Sequence, residues 1–77
     1  DNNNALQFIE DNYTNIEGRS QQAVYTEYCL YCNSCNSVAV QMIKFNKEIT
    51  KRIPDLYVKH VIDDGINKWI WTKKERI

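Results

Sequence analysis

A chain of 77 residues has room for one domain, and 43% hydrophobic residues with five Tyr, two Phe and two Trp give that domain a core. Two Gly, one Pro and 26% charged residues are not the composition of a disordered chain. No run approaches the ~20 apolar residues of a membrane span, and the polar start Asp1-Asn2-Asn3-Asn4 lacks the basic-then-apolar layout of a signal peptide, so no membrane partner is expected.

The formal net charge of +0 hides an asymmetry. Residues 1–36 hold one Arg against five carboxylates, whereas residues 37–77 hold nine Lys and Arg against five carboxylates. An acidic front and a basic back suit a domain that presents one end to a polyanion. The first residue is Asp1 rather than Met, and the expectation is a piece cut from a longer protein.

Ala5, Phe8, Ile9 and Tyr13 are spaced i, i+3, i+4 and i+8, which predicts a short helix with Asn4 as its N-cap. Thr14 to Gly18 reads as a loop. Ser20 is a good N-cap for a second helix from Gln21 to about Asn33, with Val24, Tyr28, Tyr31 and Cys32 on one face and Tyr25 and Cys29 widening it. The turn formers Asn33-Ser34-Cys35-Asn36-Ser37 end it. A third helix is expected from about Ala39 to Ile53, with Met42, Phe45, Ile49 and Ile53 inward and Pro54 closing it.

After Pro54 the period changes to two. Leu56 to Ile62 reads as a strand, Asp63-Asp64-Gly65-Ile66-Asn67 as a turn, and Lys68 to Thr72 as the return strand. Residues 73–77 are a charged tail. The fold class is therefore mainly α with a small β-hairpin (α+β): a winged helix-turn-helix of three helices plus a two-stranded wing, spanning 1–77 as one domain. In that architecture the third helix usually enters the major groove.

Gln41, Lys44, Lys47, Lys51 and Arg52 fall on the exposed face of the third helix, where long cations can neutralise phosphates and Gln41 can reach a base edge. A lysine stripe opposite an apolar stripe is also the commonest solvated helix surface. Lys59 on the first strand, with Asn67 and Lys68 at the wing, completes the expected nucleic-acid-binding set. Trp69 and Trp71 share a strand face and are expected to pack the hairpin onto the helices, with base stacking as the other role open to them.

Catalysis finds no foothold. His60 is the only His and lacks the partners of an acid–base pair, so a phosphate contact or a surface position is expected for it. There is no phosphate-cradling glycine loop, no paired-carboxylate arrangement and no nucleophile elbow. Cys29, Cys32 and Cys35 form C-x2-C-x2-C, but two of them lie within a helix and a structural zinc site draws on separated pairs. They are expected as buried or half-buried thiols, with no metal and no cofactor, in a reducing, cytoplasmic compartment.

From Phe8 to Trp71 the chain resembles the C-terminal winged-helix domain of poxvirus-type and satellite-phage-type (superfamily-three) primase-helicases. Phe8-Ile9-Glu10-Asp11-Asn12-Tyr13 resembles the family's opening Phe-Leu-Glu-Glu helix, and Val24-Tyr25-Thr26-Glu27-Tyr28 with Tyr31-Cys32 resembles its Leu-Tyr-x-x-Tyr-x-x-Trp-Cys. Phe45 and Ile49 match the Phe-x-x-x-Leu of the third helix, and Trp69-Ile70-Trp71 the return strand. Val24 for Leu and Tyr31 for Trp are departures, and the arginine cluster of a strong sequence reader is lacking. The resemblance implies a DNA-binding appendage of a viral, phage or plasmid replicative helicase whose ATP-hydrolysing core, a homohexamer, lies upstream. DNA, duplex or single-stranded, and other replication proteins are the implied partners. A protein-docking module, or a domain like the eukaryotic regulatory-factor-X transcription factors with their similar Leu-Tyr-x-x-Tyr pattern, are the alternative readings.

Overall fold

The computed structural model describes residues 4–74. Three helices, α1 (Asn4–Asp11), α2 (Gln21–Ser34) and α3 (Met42–Arg52), precede one antiparallel hairpin of β1 (Leu56–Asp63) and β2 (Ile66–Lys73). This is the element order of a winged helix.

The short connection before α2 adds a third, minimal strand to the hairpin. Ser20 bridges Ile70 in antiparallel sense, the Gly18 N–H donates to the Trp71 carbonyl at 2.8 Å, and the Trp71 N–H donates to the Arg19 carbonyl at 2.9 Å. The base of the hairpin is thereby fastened to the helical layer, which an isolated two-stranded ribbon needs for stability. At the far end Asp64 (φ 51°) and Gly65 (φ 76°) both take positive φ, the condition of a type I′ two-residue turn. The sequence pattern predicted a five-residue turn; the strands instead run on to Asp63 and from Ile66.

One core joins all the elements. Phe8, Ile9, Ile16, Val24, Tyr28, Cys32, Phe45, Ile49 and Trp71 are buried together. At its centre the Tyr28 and Phe45 rings stack with centroids 4.3 Å apart, and Phe8 meets Tyr28 edge-on at 5.6 Å. Such aromatic pairs add to the burial of area itself.

Both ends of α2 are closed as the sequence leads one to expect. Ser20 Oγ accepts from the Ala23 N–H at 3.0 Å. At the other end Asn36 takes φ 54°, its N–H reaches the Asn33 carbonyl, and the Ser37 N–H reaches the Cys32 carbonyl at 2.8 Å, the paired bonds of a Schellman motif.

Several expectations are corrected. The helix predicted from Ala39 starts at Met42, because tertiary bonds hold 38–40 outside the helix: Tyr25 Oη donates to the Val40 carbonyl at 2.7 Å, the Val40 N–H donates to Tyr28 Oη at 3.0 Å, and Asn4 Nδ2 donates to the Val38 carbonyl at 2.8 Å. Asn4 is the first residue of α1 rather than its cap, and its side chain is spent across the fold, its Oδ1 also accepting from Tyr28 Oη at 2.6 Å. Tyr13 lies beyond α1 and is 47% exposed, while Ile16, within the predicted loop, is fully buried. Cys35 is exposed at the end of α2; Cys32 is buried and Cys29 half-buried, and all three are free thiols. Of the predicted charged tail, Lys73 belongs to β2, and residues 75–77 lie outside the described residues.

Candidate nucleic-acid interface

At about 100° per residue, Lys44, Lys47 and Lys51 fall within roughly 60° of one another on α3, on the side away from the buried Phe45 and Ile49. All three are exposed, and none forms an ion pair among the described residues. Gln41 is the exposed N-cap residue of the same helix, in extended conformation with no side-chain capping bond. Three of the predicted residues therefore lie along one wettable face, with Gln41 at the leading end of the helix.

Arg52 does not join them. Its guanidinium bonds Glu10 Oε1 and lies over the Tyr13 ring, 5.9 Å from the centroid, tying the end of α3 to α1. The Arg52 guanidinium holds the Glu10 carboxyl below its ordinary value of 4.5. A carboxyl with a depressed folded pKa contributes stability that is present above its unfolded pKa and lost as pH falls through the folded one. Glu10→Gln is therefore expected to remove part of the acid-side decline in stability below about pH 4.5. Urea-unfolding midpoints of the two proteins at neutral and acid pH check this, and superimposable pH dependences would contradict it.

The hairpin splits the remaining candidates between its faces. Trp71 pairs with Val58, Trp69 with His60 and Asn67 with Ile62, so Asn67 shares the core-side face with both tryptophans. Lys59 and Lys68 stand on the opposite face of the hairpin. Lys68 Nζ is paired with Asp63 Oδ2 at 3.0 Å. Asn67 Oδ1 lies 2.9 Å from His60 Nε2, and the His60 ring packs against Trp69 at 4.8 Å.

The two tryptophans have different fates. Trp71 is 1% exposed and fills the core, whereas Trp69, expected to pack with it, is 49% exposed. The difference follows position along the strand: Trp69 lies one pleat nearer the tip, where the helices leave it half uncovered. Its neighbourhood is a cleft of about 790 Å³ where the starts of α2 and α3 meet the edge of β2. Sequence reading missed this cleft, although the alternation in β2 already puts Asn67, Trp69 and Trp71 on one face. Comparison with protein-family profiles, characterised proteins and solved structures gives no match.

No group of three or more His, Cys, Asp or Glu is placed to hold a metal ion among the described residues. His60, exposed, has a tryptophan and an amide as its partners. What the surface offers is positive charge on a rod, hydrogen-bonding amides and one uncovered indole.

Proposed function

We propose that this chain is a DNA-binding winged-helix module that grips the phosphate backbone through Lys44, Lys47 and Lys51, with Gln41 at the leading end of α3. The single observation that carries this reading is the freedom of those three ammonium groups: exposed, on one face, and unspent on carboxylates. Phosphate contacts of this kind give affinity without sequence preference. The replicative setting, an appendage of a primase-helicase, rests on the sequence resemblance.

The wing contributes less than the sequence pattern promised. Its tip carries Asp63 and Asp64, and Lys68 is already engaged there. Ile62 and Ile66 are 69% and 59% exposed beside those carboxylates. An acidic, apolar tip suits contact with a protein better than contact with phosphate. This observation favours a second reading, a docking module in a replication complex whose wing tip meets a partner subunit.

Anisotropy of a labelled duplex at about 50 mM and about 200 mM salt tests the first reading, because each neutralised phosphate adds about 0.9 to the log–log salt slope. The triple variant Lys44→Ala, Lys47→Ala, Lys51→Ala is expected to lose about 10- to 100-fold in affinity and to flatten the slope by about 3. Absence of binding at the lower salt, or a variant that binds like the parent, excludes the proposal and leaves the docking reading.

A further inference from the structure

The cleft beside the wing is the feature that the lysine stripe leaves unused. Gln21, Gln22, Met42, Asn67, Lys68 and Trp69 line most of it. Its volume of about 790 Å³ lies within the range of ligand pockets. The lining holds three side-chain amides, the surfaces of a tryptophan and a methionine, and one cation, Lys68, which is paired with Asp63.

Resting on the DNA-binding reading, we infer that this cleft receives an unpaired base of a single strand, stacked on Trp69. The occupant follows from three observations. First, Trp69 is half-exposed and steadied by the His60 ring, and base–aromatic stacking tolerates any base because every base has a π-face. Second, the glutamine amides are available: among the described residues Gln21 Nε2 donates only to Met42 Sδ at 3.7 Å, a weak acceptor that a base carbonyl outbids, whereas the Asn67 amide is held by His60.

Third, the outer edge of β2 is open beyond Ile70, whose bridge to Ser20 is the last before the tip. Trp71 turns its N–H and carbonyl toward Arg19 and Gly18, and strand alternation aims the backbones of Trp69 and Asn67 the same way, along the cleft.

The test uses the whole chain, an oligothymidylate of about fifteen nucleotides and a duplex of matching length. The oligothymidylate is expected to quench the emission of Trp69, since Trp71 is buried and out of reach. Trp69→Leu is expected to abolish the quench and weaken oligothymidylate binding by about 10-fold or more, as loss of one stacked base implies. Duplex affinity should stay within about two-fold, because that grip belongs to the lysines.

Should Trp69→Leu bind the oligothymidylate like the parent while the duplex still binds, the base-receiving cleft is wrong and the DNA-binding proposal stands; an extended peptide is then the better occupant for the open edge. Should neither nucleic acid bind, both fall together. If circular dichroism shows that Trp69→Leu is not folded, the double variant Gln21→Ala, Gln22→Ala decides: a selective loss for the single strand supports the cleft, and equal binding overturns it.

Discussion

Replacing Trp71 by Ala is expected to cost about 3–5 kcal/mol, the usual range for deleting a buried aromatic side chain. A domain of this size is stable by only about 4–12 kcal/mol at the per-residue average, so the variant will sit at or near the unfolding threshold. The reason lies in the position. Trp71 is the largest fully buried side chain, and its backbone carries both bonds that fasten β2 to Gly18 and Arg19. Ala leaves those backbone bonds formally intact but empties the space between hairpin and helices. Trp71→Phe is expected to cost much less. The Trp71 indole N–H is buried and finds no hydrogen-bond partner among the described residues, and an orphaned donor carries a penalty of about 1–3 kcal/mol that Phe removes. Urea unfolding of the three proteins checks the ranking. Equal losses for Phe and Ala would show that the indole N–H is satisfied in solution and that its burial is not a liability.

The same residue shows how far the sequence could be read. Apolar period alone located three helices and a hairpin, because Phe8, Ile9, Tyr28, Phe45 and Ile49 recur at helical spacing and β1 and β2 are rich in β-branched and aromatic residues. Ser20 and Asn36 announced the ends of α2 by chemistry that is local in the chain. What the pattern missed depends on partners distant in sequence. The late start of α3 comes from the hydroxyls of Tyr25 and Tyr28 bonding Val40, and nothing near Val40 advertises it. Ile16 is buried in a segment without periodicity, since a connection that crosses the core needs only one anchor.

The candidate site divides in the same way. Lys44, Lys47 and Lys51 were legible because helix geometry alone puts them together. The pairing of Arg52 and Lys68 was not legible because their carboxylate partners could not be foreseen: Glu10 comes from another helix, and Asp63 from across the wing turn. The cleft was invisible because it is assembled from three elements, each contributing a side chain that is unremarkable in its own segment. Trp69 looked like Trp71 in sequence and differs from it only by its distance from the helices.

Tyr28→Ala should be as damaging as the loss of Trp71, and Tyr28→Phe should separate packing from hydrogen bonding at the point where α3 begins. The Tyr28 ring stacks on Phe45, and its hydroxyl donates to Asn4 Oδ1 while accepting the Val40 N–H. Ala removes the ring and both bonds, for an expected loss of about 3–5 kcal/mol. Phe keeps the ring but leaves the Val40 N–H without its acceptor, for an expected loss of about 1–3 kcal/mol. The two substitutions also differ in their pH dependence. Burial pushes the Tyr28 hydroxyl up from 10.0 to about 12. The folded state therefore holds a proton that the unfolded chain releases, and stability is present below pH 10 and lost as pH rises toward 12, with a slope approaching about 1.4 kcal/mol per pH unit for one proton. Tyr28→Phe should shed that slope, so its deficit relative to the parent narrows between pH 10 and 12. Because Val40 leads into Gln41 and the first turn of α3, the amides of 38–42 should exchange faster in Tyr28→Phe than those of α2. Duplex affinity should then fall modestly, since the lysines remain but the rod that carries them is less firmly seated. Unchanged exchange at Val40, or an alkaline slope identical to the parent's, would place the anchor of this helix somewhere other than the Tyr28 hydroxyl.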